Sequence, residues 1–509
     1  RPHLDRYAPR TPWIRATETE DDPPSSSRSG SLLRSLHSSP SSQLVSSPKL
    51  FTQNADKREK FYQTECDIVA ATTAASITYK SYAASCKAMS MPVINEKSFY
   101  EIRKRYTWPA VEAIYQETQE KVKELIMARI AKGEELHLSG DCQYDSRGYS
   151  AYWGRYSLLC VDTGLVLVSL NVHKSEAGNS VAIELLAMRK ALDEFRVQFP
   201  GVNIASLTTD RCRSVIAYMA AKEPTIRHWY DPWHLIRNAT TTLLKICKPK
   251  YMKTVRAWFK SIVNHLYYAL TTANGDGQLV VEIWRSLLHH IVDCHDWQTD
   301  PEYTRYSKCT HAPFDKGVLY LRAGSDAFKA VKKFVESPTF MQDMMKVSPR
   351  METSKNEAFH GMAIRTASKD NYYSQAGHDH RTHQVAIQWN MSQIERLNGT
   401  RTAVKQKSYY TKTRKEKVWR SVLEAPSNSW RREVVLQARK ERQQMAHAPS
   451  WKRAVPQGSS TDLPIDHVPN PYDANLEESE EESDLMPDDE DRLADIIEEG
   501  ARDLDNEAE

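Results

Sequence analysis

The chain has 509 residues, a formal net charge of +3 and 40% hydrophobic residues, enough for packed cores, but no run approaches the roughly 18 apolar residues of a membrane span. The charge is segregated: residues 473–509 hold 18 Asp and Glu against 2 Lys and Arg, a net of −16 that leaves +19 on the rest, a balance that favours polyanionic partners such as nucleic acid. Eight scattered cysteines with no CxxC pair exclude a disulfide-scaffold class and fit a reducing compartment.

Residues 1–57 are rich in Ser and Pro, with 12 serines between 25 and 47, and predict a disordered tail. A helical module is expected over 58–133, with helices at 66–89, 96–105 and 111–130. The last carries Ile114, Val122, Leu125 and Ile126 as an apolar stripe. From 134 the pattern changes. Leu136 and Leu138 alternate with polar neighbours, which predicts a strand over 134–141 ending at Gly140-Asp141, where glycine is expected to permit a tight bend beside a carboxylate. Strands at 156–161 and 165–172 flank Asp162-Thr163-Gly164, a hairpin signal. A helix at 179–198, a strand at 203–210 ending in Asp210, a helix at 211–222 and a strand at 226–231 follow.

Three hairpin-type strands and then strands alternating with helices imply an α/β mixed sheet covered by helices. This is the element order of the RNase H-like fold, whose first acidic ligand sits on the first strand and second on the fourth. The first part of that core would span 134–234. An all-helical insertion is expected over 235–350, and the core would resume over 351–400, where the helix 354–366 carries Glu357 and a further helix runs through about 381–398. Residues 401–455 read as a basic helical extension. Within 401–453 there are 15 Lys and Arg against 4 Asp and Glu, with Tyr409, Tyr410, Trp419, Trp430 and Trp451 interleaved, a mixture suited to nucleic-acid contact. Residues 456–509 are expected to be an acidic disordered tail.

Carboxylates on separate elements can hold two divalent cations for phosphoryl displacement, and Mg²⁺ or Mn²⁺ suits such hard oxygen ligands. Asp141, Asp210 and Glu357 are the candidate trio; Asp145 competes for the first role, and Glu336 and Glu352 for the third. The runs GDCQYDSRGYSAYWGRYSLLCVDTG, LTTDRCRSVIAYM, RHWYDPWHLIRN, KCTHAPF and SKNEAFHGM, in this order, resemble eukaryotic cut-and-paste DNA transposases of the acidic-triad class, a set that includes Mutator-like, hAT and Kolobok groups. The resemblance covers roughly residues 60–400, and its most specific mark is Asp231-Pro232-Trp233-His234. It implies Asp141, Asp210 and Glu357 as the catalytic metal ligands, with Asp231 and His234 as an accessory pair. It also implies double-stranded DNA as partner (transposon ends and target), a homodimer or larger assembly, and a nuclear location. Cys142 and Cys212 depart from the family, standing where a Gly and a His are expected. The alternative is a catalytically inactive, transposon-derived nuclear DNA-binding or interaction protein. Cys294, His295, Cys309 and His311 form a possible zinc set, whereas His378, His380 and His383 are read as a loop leading into a helix.

Overall fold

The computed structural model describes residues 60–146, 150–249, 252–311, 319–349, 354–369, 371–411, 416–447 and 468–469. The two segments expected to be disordered, 1–57 and 456–509, lie outside these residues apart from Val468 and Pro469.

A mixed five-stranded sheet forms from β1 (Leu136–Tyr144), β2 (Trp153–Cys160), β3 (Val166–His173), β4 (Ile204–Thr209) and β5 (Arg227–Tyr230) in the order β3-β2-β1-β4-β5. The pairs β1–β2 and β2–β3 are antiparallel, while β1–β4 and β4–β5 are parallel. β2 is buried along its whole length, so its alternate side chains enter different cores. Tyr156, Leu158 and Cys160 pack with α6 (Ile183–Gln198) through Ile183, Met188, Leu192 and Phe195. On the other face, Leu159 meets Phe359 and Ala363 of α14 (Ser354–Thr366), and Val385 and Trp389 of α15 (Gln375–Leu397). Each fully buried aliphatic or aromatic side chain of this kind stabilises the fold by about 1.5–3 kcal/mol.

Among the described residues four α-helices precede the sheet: α1 (Gln63–Ala74), α2 (Tyr79–Ala88), α3 (Glu96–Ile102) and, after a π-helical turn at Arg103–Thr107, α4 (Trp108–Ile130). The Ala-rich run expected as one helix breaks in two, because Ser76 adopts φ +60° and the Thr78 hydroxyl caps a new helix by accepting from the Ser81 N–H. Beyond the sheet come the short α5 (Lys174–Ala177), and then α7 (Arg213–Lys222) between β4 and β5. Next follow α8 (Pro232–Cys247), α9 (Lys253–Ala273), α10 (Gly277–Arg285), α11 (Leu287–His290), α12 (Asp326–Val335) and α13 (Pro338–Met344). These last six bury a core of their own around Trp258, Phe259, Leu266, Ile283 and Trp284. The block attaches to the sheet's β5 edge, where the Tyr230 N–H donates to Lys346 O at 2.7 Å.

Two expectations are corrected. The strand does not end at Asp141: β1 continues to Tyr144 because β2 keeps pairing with it, Asp141 opposite Ser157 and Tyr144 opposite Gly154. What stops is the parallel partner, since Ser139 opposite Thr208 is the last β1–β4 pair. Gly140 accordingly makes no tight bend. It is glycine because a Cβ there would lie 2.4 Å from the Tyr156 hydroxyl oxygen. The basic extension is also only partly helical. β7 (Ala403–Thr411) and β8 (Glu416–Leu423) form an antiparallel ribbon, and among the described residues of this stretch only α16 (Trp430–His447) is helix. A two-residue β6 (Asn371–Tyr372) pairs with β9 (Val468–Pro469). α16 packs on α1 and α4 through Trp430, Val434 and Ala438.

Candidate active site

β1 and β4 run parallel, and the chain leaves β4 at Asp210 just where Asp141 loses its β4 neighbour. A crevice opens there, at the carboxyl ends of the parallel strands. Side-chain alternation along β1 turns Ser139, Asp141 and Gln143 toward α14, while Gly140 and Cys142 face α6. β5 ends at Tyr230, and the Asp231 N–H donates to Thr209 O at 3.1 Å, so Asp231 arrives level with Asp210. Pro232 occupies the first position of α8 and Asp231 caps it, accepting from the Trp233 N–H at 2.9 Å. One helical turn on, His234 Nδ1 lies 2.5 Å from Asp231 Oδ2 and 3.1 Å from Asp210 Oδ1.

α14 closes the crevice from a point more than 200 residues further along. The Asn356 amide donates to Ser139 Oγ at 2.8 Å and Gln143 donates to His360 O at 2.9 Å, which sets the register of α14 on β1. His360 Nδ1 lies 3.2 Å from Asp141 Oδ2, and its Nε2 is 3.2 Å from Ser157 Oγ. The result is a pocket of about 260 Å³ whose lining includes Asp141, Asp210, Asp231, His234, Asn356 and Glu357. All five residues expected from the sequence, the three catalytic candidates and the accessory pair, line this one cavity. Asp145 does not; it accepts from the Tyr152 N–H at 3.1 Å and burial raises its carboxyl to about 6. Glu336 forms ion pairs with Arg285 and Lys332 in the helical block, and Glu352 lies outside the described residues.

The electrostatics are uneven. Burial pushes the Asp210 carboxyl up to about 8, and the charge of Asp141 adds to it, although 40% of the side chain remains open to solvent. Burial acts on Asp141 in the same sense, but the adjoining His360 outweighs it and holds Asp141 below the usual carboxylate range. For His234, burial works against the proton, yet Asp231 and Asp210 prevail and raise the imidazole to about 9. Asp210 therefore keeps its proton near neutral pH, because burial penalises its charged form and the neighbouring Asp141 charge adds to that cost. Asn356 is 3% exposed, and its Oδ1 has no hydrogen-bond partner among the described residues.

Sequence reasoning missed Asn356, which immediately precedes Glu357, and Glu184 at the start of α6, whose carboxyl is raised by burial and by Asp141. Only helix register on β1 singles out Asn356, and no motif carries that. Cys142 faces away from Asp141 and packs against the α6 core; Cys212 precedes α7, its Sγ 3.2 Å from Ser214 Oγ.

The candidate zinc residues are only partly brought together. His295, Cys309 and His311 converge, but their fourth neighbour is His290 at the end of α11, not Cys294, whose thiol is directed at Asp296 O at 3.3 Å. His378, His380 and His383 lie on α15 itself rather than on a loop. His380 and His383 group with Glu112 of α4. Among the described residues no helix is long and apolar enough to cross a membrane. No family model matches the chain, and neither a curated protein nor a solved structure is significantly similar to it.

Proposed function

We propose that the chain is a metal-dependent DNA transposase-like enzyme that cleaves and joins phosphodiesters. The observation that carries this reading is the meeting of Asp141, Asp210 and Glu357, with Asp231 and His234 beside them, in one pocket built from β1, β4 and α14. The strand order β3-β2-β1-β4-β5, three antiparallel strands followed by two parallel ones, fits an RNase H-like core, and the separately packed block of α8–α13 fits an insertion within it.

The pocket's chemistry suits a hard divalent cation. It presents carboxylate oxygens, of which Asp210 is held protonated first by burial and then by the neighbouring Asp141 charge, and a buried amide oxygen at Asn356 without a partner among the described residues. Asp141, Asp210 and Glu357 would hold the ion or ions. Bound Mg²⁺ or Mn²⁺ would supply Lewis-acid polarisation of the phosphoryl oxygen and favour deprotonation of the attacking water or hydroxyl. The chain's own contribution is positional. His360, fixed between Ser157 and Asp141, keeps the Asp141 carboxylate ionised and oriented. His234, held by Asp231, fixes Asp210 from the other side. The reaction class is hydrolysis of a phosphodiester at a transposon end, leaving a 3′-hydroxyl. That hydroxyl then attacks a target phosphodiester by transesterification at the same site. Joining two ends calls for a dimer or larger assembly, and the substrate calls for a nuclear location.

The second reading is a catalytically inactive, transposon-derived DNA-binding protein. It draws on the β7–β8 ribbon, which displays Lys405 and Lys417 in exposed positions together with Trp419 at 66% exposure. A two-stranded ribbon is of a size to enter a major groove. Nicking of supercoiled plasmid by the purified full chain in Mg²⁺ or Mn²⁺ separates the two. The enzyme reading expects wild type to nick and Asp141→Asn, Asp210→Asn and Glu357→Gln to bind DNA without nicking. DNA binding without nicking by wild type in either metal leaves the second reading standing.

A further inference from the structure

Outside the acidic pocket, the helical block gathers three imidazoles and a thiol at one point. α11 ends at His290, and the chain then makes a tight excursion. Asp293 takes φ +65°, Asp296 bridges Lys308 in antiparallel fashion, and the Cys309 N–H donates to His295 O at 2.9 Å. That bridge sets His295 and Cys309 side by side at the base of the excursion, beside the last residue of α11. Cys309 Sγ lies 3.3 Å from His290 Nδ1 and 3.4 Å from His295 Nδ1, and His311 Nε2 is 3.4 Å from His290 Nδ1. All four atoms fall within 4.8 Å of one another.

We propose that His290, His295, Cys309 and His311 form a structural zinc site that clips the 293–311 excursion onto the end of α11. Zinc bonds of about 2.0–2.1 Å to nitrogen and about 2.3 Å to sulfur give tetrahedral edges of about 3.4 Å between nitrogens and about 3.6 Å between nitrogen and sulfur. The three distances above meet those edges with shifts of a few tenths of an ångström. The three rings stand mutually near-perpendicular, at 85°, 86° and 87°, with centroids 4.9–5.2 Å apart, and each turns one nitrogen into the cluster. The outer shell is also in place: Asp293 Oδ1 accepts from His295 Nε2 at 3.2 Å, leaving Nδ1 as the ligand nitrogen. Three imidazoles with one thiolate select a borderline-soft ion of tetrahedral preference over Mg²⁺. Four protein ligands close the coordination sphere, so the role is structural and distinct from the carboxylate pocket.

The test is metal content and cobalt spectroscopy on the purified full chain. Wild type should carry about one tightly held zinc per chain. Replacement by Co²⁺ should give tetrahedral ligand-field bands and a thiolate-to-cobalt charge-transfer band, which the sulfur-free carboxylate pocket cannot produce. Cys309→Ser should lose the zinc and the charge-transfer band, while Cys294→Ser keeps both. Asp293→Asn should weaken zinc affinity about 10–100-fold without unfolding the chain, since asparagine tolerates the positive φ. Wild type that takes up no zinc when refolded in its presence, or a charge-transfer band that survives Cys309→Ser, would overturn the site. So would loss of the band in Cys294→Ser with retention in Cys309→Ser.

Discussion

Asp210, Asp231 and His234 in the pocket, and Glu112, His380 and His383 between α4 and α15, hold acids and imidazoles at equally close spacing, a spacing that Asp141 and Glu357 do not share, but the surroundings of the two groups differ. In the α4–α15 group the charges are answered from within the fold, although the buried His380 Nδ1 finds no hydrogen-bond partner among the described residues. His380 stacks on Trp108 at 4.7 Å, His383 stacks on Tyr115 at 4.0 Å, and Glu112 Oε2 lies 2.8 Å from His383 Nδ1. His383 accordingly holds the Glu112 carboxyl down at about 2. In the pocket the sense is reversed: burial, with the charge of Asp141 beside it, pushes Asp210 up to about 8. Ligand-like spacing is therefore shared by a structural contact and a candidate site. What separates them is whether the protein alone satisfies the charges.

The largest effect expected from that contrast is on catalysis. Asp141→Asn or Glu357→Gln should cut the initial rate of plasmid nicking by at least about 10²–10³, the scale of losing one preorganised electrostatic group. Glu112→Gln should leave the rate unchanged, and equal losses in both groups would dissolve the distinction. Next, His360→Ala should lower nicking about 10–100-fold by freeing Asp141, and the loss should appear as a higher Mg²⁺ midpoint with DNA affinity unaltered. A smaller contrast is one of sign in thermal stability. The folded Asp210 titrates above its ordinary 3.8, so the stability linked to its neutral form is present below 3.8 and is lost as pH rises through about 8. Asp210→Asn should therefore raise the Tm of the metal-free protein by about 2–4 °C in mildly alkaline buffer, whereas Glu112→Gln should lower it by a similar amount.

The smallest effect is at the acid end. Burial, together with His383, lowers the His380 imidazole to about 4, so the unfolded chain takes up a proton from about 6.5 downward while the folded one does not. Stability should fall as pH drops from about 6.5 to 4, and His380→Phe, which keeps the stack on Trp108, should flatten that slope in a pH series of denaturant melts. An unchanged slope would mean that His380 is not shielded as described.

Much of the sheet was legible because burial on one or both faces writes itself into local patterns. Leu136 and Leu138 and the Asp162-Thr163-Gly164 turn fell where expected, and the strand expected over 203–210 stops one residue short of Asp210. The acidic residues were legible because three of them follow or lie on such strands. Less legible was anything decided by register between distant segments. Asn356 enters the pocket through its bond to Ser139, 217 residues away. His290 displaces Cys294 from the imidazole cluster because the positive φ of Asp293 reverses the chain between them. The β7–β8 ribbon was hidden by its composition: lysines and arginines dominate a stretch whose alternation, Lys405, Lys407 against Arg420 and Val422, is a strand pattern only once the partner is known. Gly140 looked like a hinge locally and is instead a gap left for the Tyr156 ring.

The seam between α1 and α16 bears on how the protein is made. Arg439 grips the Asp67 carboxylate with two bonds of 2.9 Å, and Arg442 donates to Phe61 O across 381 residues of sequence. During synthesis at about 5–20 residues per second, the first helices would wait roughly 20 to 80 s for that partner to emerge. Through that interval the apolar faces that later meet Trp430 and Val434 stay uncovered. α1 is thus sealed long after it is made, and chaperone occupancy during translation should concentrate on it.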